Sequence, residues 1–195
     1  MAGSDQEAGL KRGHPGWLYA RLLSGTWGAL PEPIQRLHRL DERLTAVGRA
    51  KVERGGGLAS RLIGRMVGFP GAADDVELRV DFVRKDDVET WRRQFGSHQF
   101  ASTQEAGRGR RLVERFGPAS FSMTLTWDGK RLNLRPRSWR LFGVRMPDWT
   151  LPTTTAWESV EDGRFSFFVE ITHPWTGLLV RYKGWLEPVI SLAGG

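Results

Sequence analysis

At 195 residues the chain has room for one sizeable hydrophobic core and is short for two. It carries 39% hydrophobic and 11% aromatic residues, with nine Trp, no Cys and a formal net charge of +7. That composition excludes a disordered chain, a disulfide framework and thiolate-based metal or redox chemistry. The opening stretch MAGSDQEAGLKRGHPG is polar, and no apolar run approaches the ~18 residues of a spanning helix, so the expectation is a cytoplasmic protein with no membrane span. The basic excess is almost all Arg, and it is scattered among carboxylates such as Glu77, Asp81, Asp86, Asp87 and Glu89. Without a basic stripe, a nucleic-acid partner is not expected.

Residues 1–14 read as a flexible tail, and 15–190 as a single β-rich domain with its helices in the first third. The run WLYARLL from Trp17 to Leu23 has helical spacing and is stopped by Gly25 and Gly28. Pro31 opens a second helix that carries Ile34, Leu37, His38 and Leu40 along one side. Leu44 to Arg54 alternates as a first strand, Gly55 to Gly57 ends it, and an apolar stripe predicts a helix over 58–67.

From Val76 the period changes to two. Val76, Leu78, Val80 and Phe82 share one face of a strand; Trp91 and Phe95 continue on the next, and His98, Phe100 and Ser102 on the one after. Leu112 to Phe116 is a short strand broken by Gly117-Pro118. Phe121, Met123, Leu125 and Trp127 then alternate strictly, and Asp128-Gly129 marks a tight hairpin. A return strand runs past Leu132 and Leu134 to Leu141, with Gly143 as a bulge or turn. Strands near 153–160, 165–171 and 178–186 follow, with Asp162-Gly163 as a second hairpin turn. About nine or ten strands joined by short connections make a strongly curved antiparallel meander, barrel-like or half-barrel in the manner of lipocalins, with the helices covering one opening. A two-layer sandwich is the alternative.

Six stretches carry a resemblance: LPEPIQRLH (30–38), VERGGGLASRL (52–62), WRRQFGSHQFAS (91–102), LVERFGP (112–118), EDGRFSFFVEI (161–171) and GLLVRYKGWLEP (177–188). In this order they resemble an uncharacterised bacterial family, domain of unknown function four-one-six-six. The resemblance implies no catalytic residues. It does imply a separate oxidoreductase as partner, because family members are often fused to NAD(P)-binding domains of the saccharopine-dehydrogenase type.

Few residues point to chemistry. Gly55-Gly56-Gly57-Leu58-Ala59-Ser60 lies where a dinucleotide loop would, but such a loop needs a parallel βαβ unit, and hairpins follow instead. His14, His38, His98 and His173 are far apart, which gives a metal site little local support. No metal, cofactor or catalytic residue is therefore expected. Arg135, Arg137, Arg140 and Arg145 interleave with Trp139 and Trp149; they read first as a solvated strand face and second as an anion clamp.

On a curled sheet, His38, Trp91, Arg93, Phe95, Phe100, Glu114, Arg115, Tyr182 and Trp185 are expected to line a cavity for a small apolar or amphipathic ligand. Two other readings stand beside this one. In the first, an accessory enzyme domain uses His38 with a carboxylate such as Glu114 for proton transfer; the second is a structural interaction domain.

Overall fold

The computed structural model describes residues 16–57 and 70–189. The tail expected over 1–14 and the helix expected over 58–67 lie outside these residues. Helix α1 (Leu18–Leu23), a 3-10 segment (Ser24–Ala29) and helix α2 (Glu32–His38) come first. Six strands follow: β1 (Arg43–Arg54), β2 (Ala73–Lys85), β3 (Val88–Phe95), β4 (His98–Ala106), β5 (Leu112–Phe116) and β6 (Ala119–Trp127). The remainder are β7 (Leu132–Leu141), β8 (Val144–Arg145), β9 (Thr153–Glu161), β10 (Arg164–His173) and β11 (Gly177–Pro188), with a 3-10 turn (Asp148–Thr150) before β9.

All pairings are antiparallel. The order runs β6-β5-β4-β3-β2-β1-β11-β10-β9-β7, and an additional β6–β7 pairing joins the two ends. The sheet is thus a closed ten-stranded barrel, with the two-residue β8 attached to β7. The expected meander and the helices at one opening are present, and a sandwich is not. Closure satisfies the edge N–H and C=O groups that an open sheet of this length would expose.

The two-residue alternation sorts the strands as the sequence predicts. Leu78, Val80 and Phe82 are buried inward while Asp75, Glu77 and Arg79 are exposed outward. Asp162-Gly163 and Phe142-Gly143 both take positive φ at each residue (51° and 74°, 48° and 80°), the conformation of a primed two-residue turn. Asp128-Gly129 is different. Trp127 pairs with Leu132, leaving a four-residue connection. There the Asp128 carboxylate accepts the N–H groups of Lys130 (2.9 Å) and Arg131 (2.8 Å), so the side chain closes the turn instead of a tight primed backbone. Those donors hold the Asp128 carboxyl down to about 2.

One seam of the barrel is incomplete. β7 pairs with β9 only from Leu132 to Leu134, opposite Glu158 to Ala156. Beyond it lies Pro136, which has no N–H to give a neighbour, and the β6–β7 register shifts between Ser122 and Met123. Past that point the chain from β8 to β9 runs beside β7: Met146 donates its N–H to the Trp139 carbonyl (3.1 Å), and the Trp139 indole donates to Thr150 Oγ1 (3.0 Å).

Elsewhere in the wall β1 and β11 approach too closely for side chains at two positions. A Cβ on Gly48 would lie 1.9 Å from the Trp185 carbonyl oxygen, and one on Gly184 2.1 Å from that of Arg49. Both obstacles are backbone and cannot swing away. Gly184→Ala is expected to lower stability by roughly 2 kcal/mol or more, read as a fall in the urea midpoint. Gly28→Ala, with open space around it, should leave the midpoint within about 0.5 kcal/mol of wild type. Equal effects at the two positions would refute this account of the β1–β11 contact.

Candidate functional site

α1 and α2 are too short to be stable alone and form because their apolar faces are buried. Leu18, Tyr19, Leu22 and Leu23 of α1 and Ile34 and Leu37 of α2 are all buried. Trp17 provides no side-chain cap for α1. Near the start of α1 lies Glu89 of β3, whose buried carboxyl accepts the Trp91 indole N–H at Oε2 (3.2 Å) and faces the backbone N–H of Leu18. Burial raises the Glu89 carboxyl above its ordinary value, against the opposing pull of His38 and these donors.

Through this end of the barrel pass two side chains, Tyr19 and His38. Their rings stack with centroids 3.6 Å apart, and Trp91 flanks both, at 6.1 Å from Tyr19 and 5.7 Å from His38. His38 Nε2 is 2.7 Å from Glu158 Oε2 on β9, with the His38 side chain 1% exposed. The other ring nitrogen, Nδ1, is buried with no partner among the described residues.

From Tyr19 a hydrogen-bonded chain crosses the interior. The Tyr19 hydroxyl donates to Gln104 Oε1 (3.2 Å), and Gln104 Nε2 donates to Glu114 Oε1 (3.1 Å). The same oxygen accepts from Ser102 Oγ (2.7 Å) and Arg93 Nη2 (3.3 Å), while Arg93 Nη1 donates to Ser102 Oγ (2.8 Å). The Arg93 guanidinium also lies 5.0 Å from the Trp91 ring and 5.5 Å from that of Phe100. A buried charge is tolerated when it is paired and hydrogen-bonded, and here all five side chains contribute. Burial drives the Tyr19 phenol well above its ordinary value, with Glu158 adding to the effect.

Between the plug and the far rim the barrel is hollow. A cavity of about 340 Å³ is bounded at the plug by Tyr19 and His38, along its walls by Arg93, Glu114 and Tyr182, and towards the rim by Phe121 and Trp139. Tyr182 touches Phe95 and Phe167 edge-on or tilted, and its hydroxyl has no protein partner among the described residues. Burial pushes that phenol up to about 12, so it stays a neutral donor.

The family description "Domain of unknown function (DUF4166)" matches residues 30–186. The chain belongs to this family. No curated protein matches it. Among solved structures it is similar to the crystal structure of Rv2717c from M. tuberculosis, at 13% identity and a TM-score of 0.42, over 83% of this chain and 99% of that one.

In the DUF4166 barrel, His38, Trp91, Arg93, Phe95, Glu114 and Tyr182 line the cavity together. Phe100 faces inward too, but stacks behind Phe95 at 5.9 Å and packs in the wall. Arg115 and Trp185 do not join them. Arg115 alternates out from Glu114 and pairs with Glu105 on the outer face (2.7 Å), and Trp185 alternates out from Tyr182's face and lies under Arg164 (4.3 Å). His38 takes its carboxylate from Glu158, whereas Glu114 belongs to the Arg93 network. Gly55–Gly57 follow a strand whose two neighbours are both antiparallel, so no dinucleotide unit forms there, and the rest of that motif lies outside the described residues. No group of three or more metal-ligating side chains occurs among the described residues.

Four polar residues of the site were missed by the sequence reading. Gln104 continues the alternation of Phe100 and Ser102, and Glu89 that of Trp91, so both were legible as inward-facing. Glu158 alternates with Thr154 and Ala156, but the Trp157 beside it draws attention to the wrong face. Tyr19 gives no such signal, since only tertiary packing brings a helical tyrosine to Gln104.

Two outcomes are expected. Glu114→Ala strips the carboxylate from a buried guanidinium and should cost about 3–5 kcal/mol in chemical denaturation; Glu114→Gln, which keeps an acceptor, should cost clearly less. For Glu89 the folded state holds the proton more tightly than the unfolded chain. Its contribution to stability is therefore full below the ordinary value of 4.5 and lost as pH rises through the raised folded value. Glu89→Gln should flatten that part of the stability–pH curve, and a curve of unchanged slope would contradict the assignment.

Proposed function

We propose that this DUF4166 domain binds a small apolar or amphipathic molecule inside the barrel. The observation that carries the reading is the cavity of about 340 Å³, within the range of ligand pockets, which a packed core would have filled. Its walls are chiefly aromatic and aliphatic. Two lining residues also carry a polar atom without a partner among the described residues, His38 at Nδ1 and Tyr182 at its hydroxyl. These atoms orient the polar end of the ligand, and the apolar part lies against Phe121, Met123 and Trp139 towards the rim. We place the domain in the cytoplasm, where a carrier or sensor of such a molecule would work with a separate oxidoreductase; among the described residues no helix is long and apolar enough to cross a membrane.

A second reading, the accessory enzyme domain, is favoured by the His38–Glu158 pair at 2.7 Å, a histidine–carboxylate unit facing the cavity. It differs in one respect: His38 then transfers a proton to or from the bound molecule. With binding alone, His38→Gln weakens retention but returns the ligand chemically unchanged. With catalysis, wild type and variant release different species.

The test is native mass spectrometry of protein purified from its own host, with uptake of a fluorescent apolar probe in parallel. Wild type should carry a small molecule or take up the probe. Ala156→Trp, which projects an indole into the cavity, should abolish uptake while the barrel stays folded. Probe binding that survives in Ala156→Trp would remove the basis of the proposal.

A further inference from the structure

Large exposed apolar side chains gather at one place on this barrel. Phe142 and Val144 sit on the β7–β8 turn, 76% and 65% exposed, Trp149 in the 3-10 turn at 68%, and Trp175 in the β10–β11 loop at 69%. The Trp149 and Trp175 rings are 5.4 Å apart, which joins the two loops into one surface. All of these loops lie at the end opposite the helices. The chain beside them lines the cavity through Trp139, Leu141, Thr150 and His173, so the patch rims its mouth. Soluble proteins rarely expose clustered indoles, and such clusters mark interaction surfaces.

Charge identifies the partner. From Leu132 to Trp157 the chain carries four arginines, Arg135, Arg137, Arg140 and Arg145, against the single carboxylate Asp148. Arg135, Arg137 and Arg140 project outward from β7 and are exposed. Arg137 donates to Thr124 Oγ1 and Arg140 to the Gly143 carbonyl, and among the described residues only Arg145 of this group is matched by a carboxylate, Asp148 at 3.1 Å. Across β1, β2, β10 and β11, by contrast, outward basic groups are paired with carboxylates: Arg49 with Asp75, Lys51 with Asp74, Arg79 with Asp81, and Arg181 with both Glu53 and Glu170. Charged pairs at mid-strand also rule out that wall as a lipid-facing band.

We infer that the mouth of the barrel docks on an anionic lipid surface, with Trp149, Trp175, Phe142 and Val144 entering the interface and Arg140 and Arg137 behind them meeting lipid phosphates. Indoles and phenyl rings partition into the headgroup region, and unpaired arginines beside them are drawn to anionic lipid. This inference rests on the proposed cavity function and adds where the ligand is exchanged: at a bilayer, through the end of the barrel that faces it.

The experiment is flotation of the whole chain with phosphatidylcholine vesicles, with and without phosphatidylglycerol. Wild type should float with the anionic vesicles and be released by salt. Trp149→Ser with Trp175→Ser should reduce partition at least about tenfold, and Arg137→Gln with Arg140→Gln should reduce it on anionic but not on neutral vesicles. Circular dichroism checks that both variants are folded. The rim variants should take up the apolar probe as wild type does, and the cavity-blocked Ala156→Trp should still float, which separates failure of docking from failure of binding. No flotation of wild type, undiminished flotation of the Trp variant, or a wild-type dimer that Trp175→Ser dissolves would each overturn the inference, the last by assigning the patch to a second copy of the chain.

Discussion

An antiparallel sheet has two edges, and this chain removes both by giving β7 two partners. The β6–β7 hairpin is local and extends along nearly the whole strand. The β7–β9 pairing is made of three residue pairs and closes the circle. Everything distinctive about the interior follows from that economy. Ten strands enclose more volume than their inward side chains fill, and the short seam leaves β7 and β9 apart beyond Leu134, where Thr150 and Pro152 cover the gap and line the cavity.

A barrel this wide needs something at its ends. At one end the chain supplies α1 and α2, and the polar side chains they bring inside are met by the strands, the Tyr19 hydroxyl by Gln104 and His38 Nε2 by Glu158. The matching matters because an unpaired polar group in this interior costs more than a hydrogen bond gains. The Arg93–Ser102–Gln104–Glu114 network belongs to the same device. It fixes β3, β4 and β5 relative to one another under the plug, and its members are too fully engaged with each other to be the principal contacts of a ligand.

The architecture was legible because it depends on a property each strand carries by itself. Leu78, Val80 and Phe82, or Phe121 and Met123, announce a buried face through their spacing, and tight turns at Asp162-Gly163 and Phe142-Gly143 need only local backbone freedom. The site was legible only to the extent that it follows the same rule. Alternation placed Arg93, Glu114 and Tyr182 inside, and applied strictly it would have placed Arg115 and Trp185 outside, since each is an odd number of residues from an inward neighbour. What alternation cannot supply is pairing across the barrel. That His38 meets Glu158, 120 residues away, and not Glu114 is decided by how α2 enters the opening. The hollowness itself is likewise a sum over all ten strands, and no single stretch records it.

The two ends of the interior differ in kind, and the difference gives a bound molecule a direction. Near the plug lies His38 Nδ1, without a partner among the described residues, and further along the Tyr182 hydroxyl; near the mouth the lining is Phe116, Phe121, Trp139, Leu141 and Ile171. An amphipathic molecule bound as proposed would lie with its polar end deep and its apolar end towards the opening. A lipid-like molecule in a bilayer presents its polar end to the surface first, so entry through a mouth docked there as inferred would require no inversion on the way in. On that path the apolar end would leave the membrane last and pass beside the aromatic side chains of the rim, so that little apolar area would be exposed to water on the way.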